Sequence, residues 1–207
     1  MLDATLRPLI DPALNRAGRW LAQRGVGADA VTLAGLACGL GMAAMITFGA
    51  GALALVPLAL SRLADGLDGA VARASQRTDF GGYLDITADF LFYGAIPLAF
   101  VLRDPAANGA AGAFLLMAFY VNGASFLGYA LLAERHGLTT RAQGVKSLYF
   151  SAGLLEGTET ILFFALLCLL PSHFALLAWV FGAGCLWTAG ARVALARRVF
   201  AGKRSPD

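Results

Sequence analysis

Four aspartates, Asp65, Asp68, Asp85 and Asp89, interrupt a chain that is otherwise dominated by apolar residues. Asp65 and Asp68 are three residues apart and Asp85 and Asp89 are four apart, so within helices each pair shares one face. Ionisable groups at membrane depth are costly and usually functional, and they need a neutralising partner. If the two faces meet, the four carboxylates surround one point, where a hard divalent cation such as Mg²⁺ would offset their repulsion. The spacing therefore predicts a metal site that can bind a diphosphate.

Two other interpretations of the aspartates stay open at this point. One is a structural ion-pair network with Arg62 and Arg73, although four acids against two bases would leave a buried negative surplus. The other is a proton or ion pathway in a small transporter, which gives no reason for the glycines nearby. Because glycine has no side chain, these residues would let a bulky ligand approach the carboxylates, although simple helix packing also explains such glycines. These glycines are Gly66, Gly69, Gly81 and Gly82.

The composition indicates an integral membrane protein. Of the 207 residues, 58% are hydrophobic, the mean hydropathy is +0.69, and the charged 14% cluster between apolar runs. We expect an all-α membrane protein in which six transmembrane helices follow an N-terminal amphipathic interfacial helix. The predicted spans are residues 29–50, 51–75, 81–102, 109–134, 146–170 and 172–197. A single domain over residues 1–207 would comprise an interfacial segment (1–27), a transmembrane bundle (28–197) and a basic cytoplasmic tail (198–207).

The distribution of positive charge predicts the orientation of the bundle. Arginines and lysines cluster before the first predicted span, in the links after the second and fourth spans, and at the C-terminus. Because such residues collect on the cytoplasmic side, both termini and the four aspartates are expected at the cytoplasmic face. The net charge of +3 reflects this orientation, and we predict no nucleic-acid partner.

The aspartates belong to a longer pattern, D-x-x-D-G-x-x-A-R, a linker, and then G-x-x-x-D-x-x-x-D. All its fixed positions are present: Asp65, Asp68, Gly69, Ala72, Arg73, Gly81, Asp85 and Asp89. The pattern resembles the signature of the CDP-alcohol phosphatidyltransferase family. The resemblance implies an enzyme of phospholipid biosynthesis that transfers a phosphatidyl group from CDP-diacylglycerol to a small alcohol and releases CMP. It also implies dependence on Mg²⁺ or Mn²⁺, a homodimer and, together with the charge pattern, a bacterial inner membrane.

The resemblance also implies roles for individual residues. Asp65, Asp68 and Asp85 would be metal ligands, and Asp89 would deprotonate the acceptor and also contact a metal ion. The cytidine and diphosphate would be held by a further set, Thr32, Gly69, Ala72 and Arg73.

The acceptor alcohol is predicted from charged residues in the C-terminal part of the chain and from the segment that follows Asp89. The segment 90–97 resembles phosphatidylserine and phosphatidylcholine synthases, and the acidic pair Glu156 and Glu159 suits an amino-alcohol such as serine. Lys146 and Arg192 could instead form a phosphate pocket for a polyol phosphate, either glycerol 3-phosphate or inositol phosphate. Outside this family, a prenyltransferase would also bind a diphosphate through Mg²⁺, but it normally needs more spans and lacks D-G-x-x-A-R.

Overall fold

A computed structural model describes residues 2–137, 155 and 157–202. Two residues of the predicted acceptor pocket, Lys146 and Glu156, lie outside these residues. All regular structure in the described part of the chain is helical, which confirms the predicted all-α class. The helices are α1 (Leu2–Gln23), α2 (Ala28–Thr47), α3 (Leu55–Ala74), α4 (Asp79–Arg103), α5 (Pro105–Arg135), α6 (Gly157–Leu169) and α7 (Phe174–Phe200).

Four helical segments are long and apolar enough to cross a membrane: Ala28–Thr47, Asp79–Arg103, Pro105–Arg135 and Pro171–Phe200. The charged residues of α3 keep its mean hydropathy below that of these four, and the described part of α6 has only 13 residues. The predicted count of six spans therefore stays a prediction. The same holds for the interfacial position of α1, although a helix does occupy Leu2–Gln23.

Local sequence signals account for the helix ends. Gly49 adopts φ +84° in the predicted turn after α2, and Gly51–Ala54 forms a single 3₁₀ turn, so α3 begins later than residue 51. The α4 helix begins two residues before its predicted start because the hydroxyl of Thr78 accepts a hydrogen bond from the Gly81 backbone N–H. At the other end of α4, a single residue, Asp104, separates it from α5 and accepts a bond from the Ala107 N–H.

The chain forms two compact units, each with its own apolar interior. The first comprises Met1–Gly109 and Phe164–Phe174, and the second comprises Ala110–Phe163 and Ala175–Asp207. In the first unit, Phe92 meets Phe164 edge to face at 5.6 Å, and all four aspartates of the motif belong to this unit. In the second unit, Phe163 stacks on Phe181 at 3.9 Å. The assignment of residues 1–207 to a single domain stays a prediction.

The first unit packs α3 against α1 and α2 through small residues. A Cβ atom on Gly18 of α1 would lie 2.7 Å from Ala70, and one on Gly35 of α2 would lie 2.9 Å from the Cβ of Ala64. Such distances are shorter than van der Waals contact, so these glycines let the helix backbones approach closely. Because α2 also packs against α4, it contacts both of the helices that carry the aspartates.

We expect G35L to loosen the contact between α2 and α3. The added side chain would have to displace Ala64, and overpacking of this kind typically destabilises a protein by about 1–3 kcal/mol. The measurement is the thermal unfolding midpoint of the purified protein in detergent. G41L is the matched control, because it lies on the same helix and a Cβ at Gly41 meets nothing within 4 Å. Equal losses in the two variants would contradict the packing role of Gly35.

Candidate metal and nucleotide site

Three helices line one cleft in the first unit, and each presents a single face to it. The lining residues of α2 are Thr32, Gly35 and Leu36; those of α3 are Ser61, Arg62, Asp65 and Asp68; those of α4 are Asp85, Ala88, Asp89 and Phe92. Within each helix these residues are largely spaced by three or four, which is the period of one helix face. The two pairs of aspartates therefore meet through the folding of α3 and α4 around α2.

Three carboxylates converge in this cleft. Asp65, Asp85 and Asp89 each offer an oxygen, and these oxygens all lie within 4.8 Å of one another. Asp65 and Asp89 are partly open to solvent, with 40% and 33% of their side chains exposed. Like charges this close repel strongly unless a cation lies among them.

Asp68 lines the same cleft but is held separately. Its carboxylate is buried, one oxygen accepts a bond of 2.7 Å from the Thr32 hydroxyl, and the other accepts a bond of 2.6 Å from the Gly69 backbone N–H. Both bonds fix the carboxylate in one orientation. Thr32, which the resemblance assigns to the nucleotide, therefore has a contact with a predicted metal ligand, and its direct contact with the nucleotide stays a prediction.

Arg62 is a component of the cleft that the motif does not include. Its Nη1 lies 3.3 Å from Asp65 Oδ1 and 3.4 Å from Asp89 Oδ1, so a single guanidinium joins aspartates of two helices. From the sequence alone, Arg62 is predicted only as a partner in a structural ion-pair network. Its place three residues before Asp65, on the same helix face, is the signal that could have identified it as a site residue.

The predicted nucleotide residues of α3 lie towards its C-terminal end. Arg73 is exposed, and its Nε and Nη2 donate to the side-chain oxygen of Asn15 in α1 at 3.3 and 3.0 Å. A Cβ at Gly69 would lie 3.3 Å from Arg73 Nη1, so the guanidinium lies over this glycine. Ala72 is half-buried beside them. Asn15 is a contact that no spacing rule predicts, since 58 residues separate it from Arg73.

The predicted acceptor residues that the structure describes belong to the second unit. Glu159 is half-buried in the first turn of α6. The Nη1 of Arg192 donates to the carbonyl and side-chain oxygens of Asn122, at 3.1 and 3.0 Å, and to the Ser125 hydroxyl at 2.6 Å. A role of these residues in binding the acceptor stays a prediction.

The donor set of the cleft suits a hard divalent cation. Mg²⁺ and Mn²⁺ prefer carboxylate oxygens, and Asp65, Asp85 and Asp89 bring three such groups within 4.8 Å of one another. Arg62 balances one of these charges and leaves a negative surplus. The residues present therefore fit the predicted metal, whereas its identity and the number of ions stay predictions.

Comparison with known proteins identifies relatives of this chain. The sequence model of the CDP-alcohol phosphatidyltransferases matches residues 26–191. A curated relative, the inner membrane protein YnjF of Escherichia coli (strain K12), is 47% identical over 193 residues, which cover 93% of this chain and 94% of the relative. Among solved structures, phosphatidylinositol phosphate synthase of Mycobacterium tuberculosis, crystallised with CDP-DAG bound, shares the fold with a TM-score of 0.71. That match covers 94% of this chain and 98% of the other at 20% identity.

The family match spans all eight fixed positions of the motif, and it includes the helices that bring the carboxylates together. The earlier resemblance to this family is thereby confirmed. The chain belongs to the CDP-alcohol phosphatidyltransferase family.

Proposed function

We propose that this protein transfers the phosphatidyl group of CDP-diacylglycerol to a small alcohol and releases CMP, as an enzyme of phospholipid biosynthesis. The observation that carries the proposal is the convergence of Asp65, Asp85 and Asp89 on oxygens within 4.8 Å of one another, at the positions of the family motif. Transport of an ion or solute would need no such motif and would release no CMP.

In this reaction the acceptor hydroxyl attacks the phosphorus next to diacylglycerol. The bond from that phosphorus to the bridging oxygen of CMP breaks, and CMP leaves with the bonding electron pair. Asp89 accepts the hydroxyl proton, because its carboxylate lies in the cleft and is partly exposed. Asp65, Asp68 and Asp85 would hold Mg²⁺ or Mn²⁺, and Asp89 would also contact a metal ion. The metal would neutralise the diphosphate when bound.

Several residues serve this reaction by holding others in place. Thr32 and the Gly69 N–H fix the carboxylate of Asp68, so that its oxygens need not reorient when the substrate arrives. Arg73 offers its guanidinium to a phosphate of the nucleotide, and Gly69 lets that guanidinium lie close to the α3 backbone. Asn15 orients that guanidinium from α1.

Two acceptor classes have comparable support. Serine or another amino-alcohol is favoured by the acidic residues Glu156 and Glu159 and by the 90–97 segment. A polyol phosphate is favoured by the guanidinium of Arg192, which lies among the polar groups of Asn122 and Ser125. We propose the amino-alcohol as the first acceptor to test and the polyol phosphate as the alternative.

The location follows from the apolar helices and from the relative. The four apolar helical segments and the similarity to an inner membrane protein support an integral protein of the bacterial inner membrane. We propose that the aspartate cleft and both termini face the cytoplasm, where arginine and lysine collect, and that the enzyme is a homodimer.

Replacement of the proposed base should abolish turnover. D89N keeps the shape of the side chain but cannot take up the proton, so we expect CMP release to fall by about 10²–10⁴-fold. Binding of CDP-diacylglycerol, measured by competition with a labelled CDP-lipid, should be largely retained. D79N, which removes an exposed carboxylate from the first turn of the same helix, should keep normal activity. Near-normal CMP release by D89N would contradict the role of Asp89.

Loss of the buried aspartate should change the metal requirement. D68N removes a charge that hard cations prefer, so we expect a higher Mg²⁺ or Mn²⁺ concentration for half-maximal CMP release. T32V keeps the carboxylate of Asp68 and removes the hydroxyl that donates to it at 2.7 Å and to the Ala28 carbonyl at 3.2 Å, so its shift should be smaller. The measurement is a metal titration after treatment with a chelator. An unchanged titration in D68N would remove Asp68 from the metal site.

The acceptor class can be decided with a panel of alcohols and two variants. If the acceptor is an amino-alcohol, E156Q/E159Q should raise the KM for serine with little effect on the KM for CDP-diacylglycerol, because charge complementarity is lost. If it is a polyol phosphate, R192Q should raise the KM for glycerol 3-phosphate or inositol phosphate instead. Equal changes for both substrates would show that these residues are structural.

A further inference from the structure

We propose that Arg62 is a built-in counter-ion of the aspartate cleft. It holds Asp65 and Asp89 together in the metal-free enzyme and competes with the divalent cation for the same carboxylates. The inference rests on the metal site of the proposed function and adds to it a residue, outside the family motif, that sets the affinity of the site for metal.

The contacts of Arg62 overlap with those expected of a metal ion. Its Nη1 lies 3.3 Å from Asp65 Oδ1 and 3.4 Å from Asp89 Oδ1, and these two carboxylates, with that of Asp85, form the group whose oxygens converge within 4.8 Å. A cation bound to that group would lie close to the guanidinium. The positive charges of the guanidinium and the cation would repel each other, so a bound metal would weaken the contacts of Arg62 with Asp65 and Asp89. Because such coupling is reciprocal, Arg62 would equally weaken binding of the metal.

Arg62 has two further contacts that do not involve the carboxylates. Its Nη2 donates to the hydroxyl of Ser61 at 3.1 Å, and its guanidinium carbon lies 4.6 Å above the centre of the Phe92 ring. Ser61 and Phe92 are almost completely buried. Gly39 makes room for both, since a Cβ there would lie 2.5 Å from Phe92 Cδ2 and 3.3 Å from Ser61 Oγ. The guanidinium thus has two buried partners besides the carboxylates.

The contacts of Arg62 with the carboxylates are long for bonds of their kind. Charge-assisted N–H···O bonds are usually about 2.7–2.9 Å long, and those to Asp65 and Asp89 are longer. The Nε atom is buried and has no hydrogen-bond partner in the described part of the chain. Arg62 can therefore release the aspartates to a cation and still keep Ser61 and Phe92, which is the behaviour expected of a counter-ion that is displaced.

The test measures binding of Mn²⁺ alone to the full-length protein in detergent, by the loss of the electron paramagnetic resonance signal of free Mn²⁺. We expect R62Q to bind Mn²⁺ about 10-fold more tightly than the wild type, or tighter still, because a positive charge has left the site. R62K keeps the charge and should stay within about threefold of the wild type. R103Q, which removes an exposed arginine at the far end of α4, should bind as the wild type does.

A second readout separates the counter-ion from a structural residue. Without metal, R62Q should unfold at a lower temperature than the wild type, and Mn²⁺ should restore most of the difference. Unchanged or weaker Mn²⁺ binding by R62Q, or an equal loss of stability with and without Mn²⁺, would overturn the inference and leave the proposed reaction untouched. A wild type that binds no Mn²⁺ would overturn the proposed metal site as well.

The inference can be tested even if R62Q fails to accumulate. The double variant R62Q/D65N removes one positive and one negative charge together and so restores the balance of the cleft. Accumulation of the double variant at the level of the wild type would support a counter-ion, because the defect then lies in the unbalanced charge. Failure of both variants would show that Arg62 is needed for packing, and this would overturn the inference.

Discussion

Repulsion between carboxylates is the constraint on which the aspartate cleft depends. Asp65, Asp85 and Asp89 come within 4.8 Å of one another on two helices, and each would favour separation of those helices if it were left unneutralised. The first unit counters this tendency by packing α2 tightly against both α3 and α4. Gly35 allows α2 to approach α3 closely, and Gly39 leaves room for Phe92 of α4. The electrostatic arrangement therefore depends on apolar contacts made by small residues one helix away.

Much of this arrangement follows from the sequence, because helix geometry is local. Spacings of three and four place Asp65 with Asp68 and Asp85 with Asp89 on shared faces, and the structure has both pairs lining one cleft. What spacing cannot provide is the partner of each charge. Two arginines were candidates for an ion-pair network, but only Arg62 joins the aspartates, whereas Arg73 bonds to Asn15 of α1. Which partner each arginine contacts depends on the packing of helices that are distant in sequence.

Some helix boundaries can likewise be predicted from nearby residues, whereas others cannot. The start of α4 follows from the Thr78 cap, a signal that is present in the sequence but lies before the apolar stretch used to predict the span. The glycines at 49 and 51 mark the turn after α2, but nothing in the sequence marks the end of the 3₁₀ turn at Gly51–Ala54, and the predicted helix therefore begins too early. The charged residues of α3 are the candidate site residues, and they also lower its hydropathy, so hydropathy is a poor guide to whether this helix crosses the membrane.

The charge balance of the cleft also limits how the proposed CDP-lipid substrate could bind there. A diphosphate adds negative charge next to carboxylates that already exceed the single positive charge of Arg62. Partial exposure of Asp65 and Asp89 lets solvent screen this surplus when the substrate is absent, but a bound diphosphate would exclude part of that solvent. Substrate and cation should therefore bind cooperatively, each lowering the electrostatic free energy that opposes the other. In the proposed reaction, the cation and the substrate would together make four acidic side chains compatible with one small cleft.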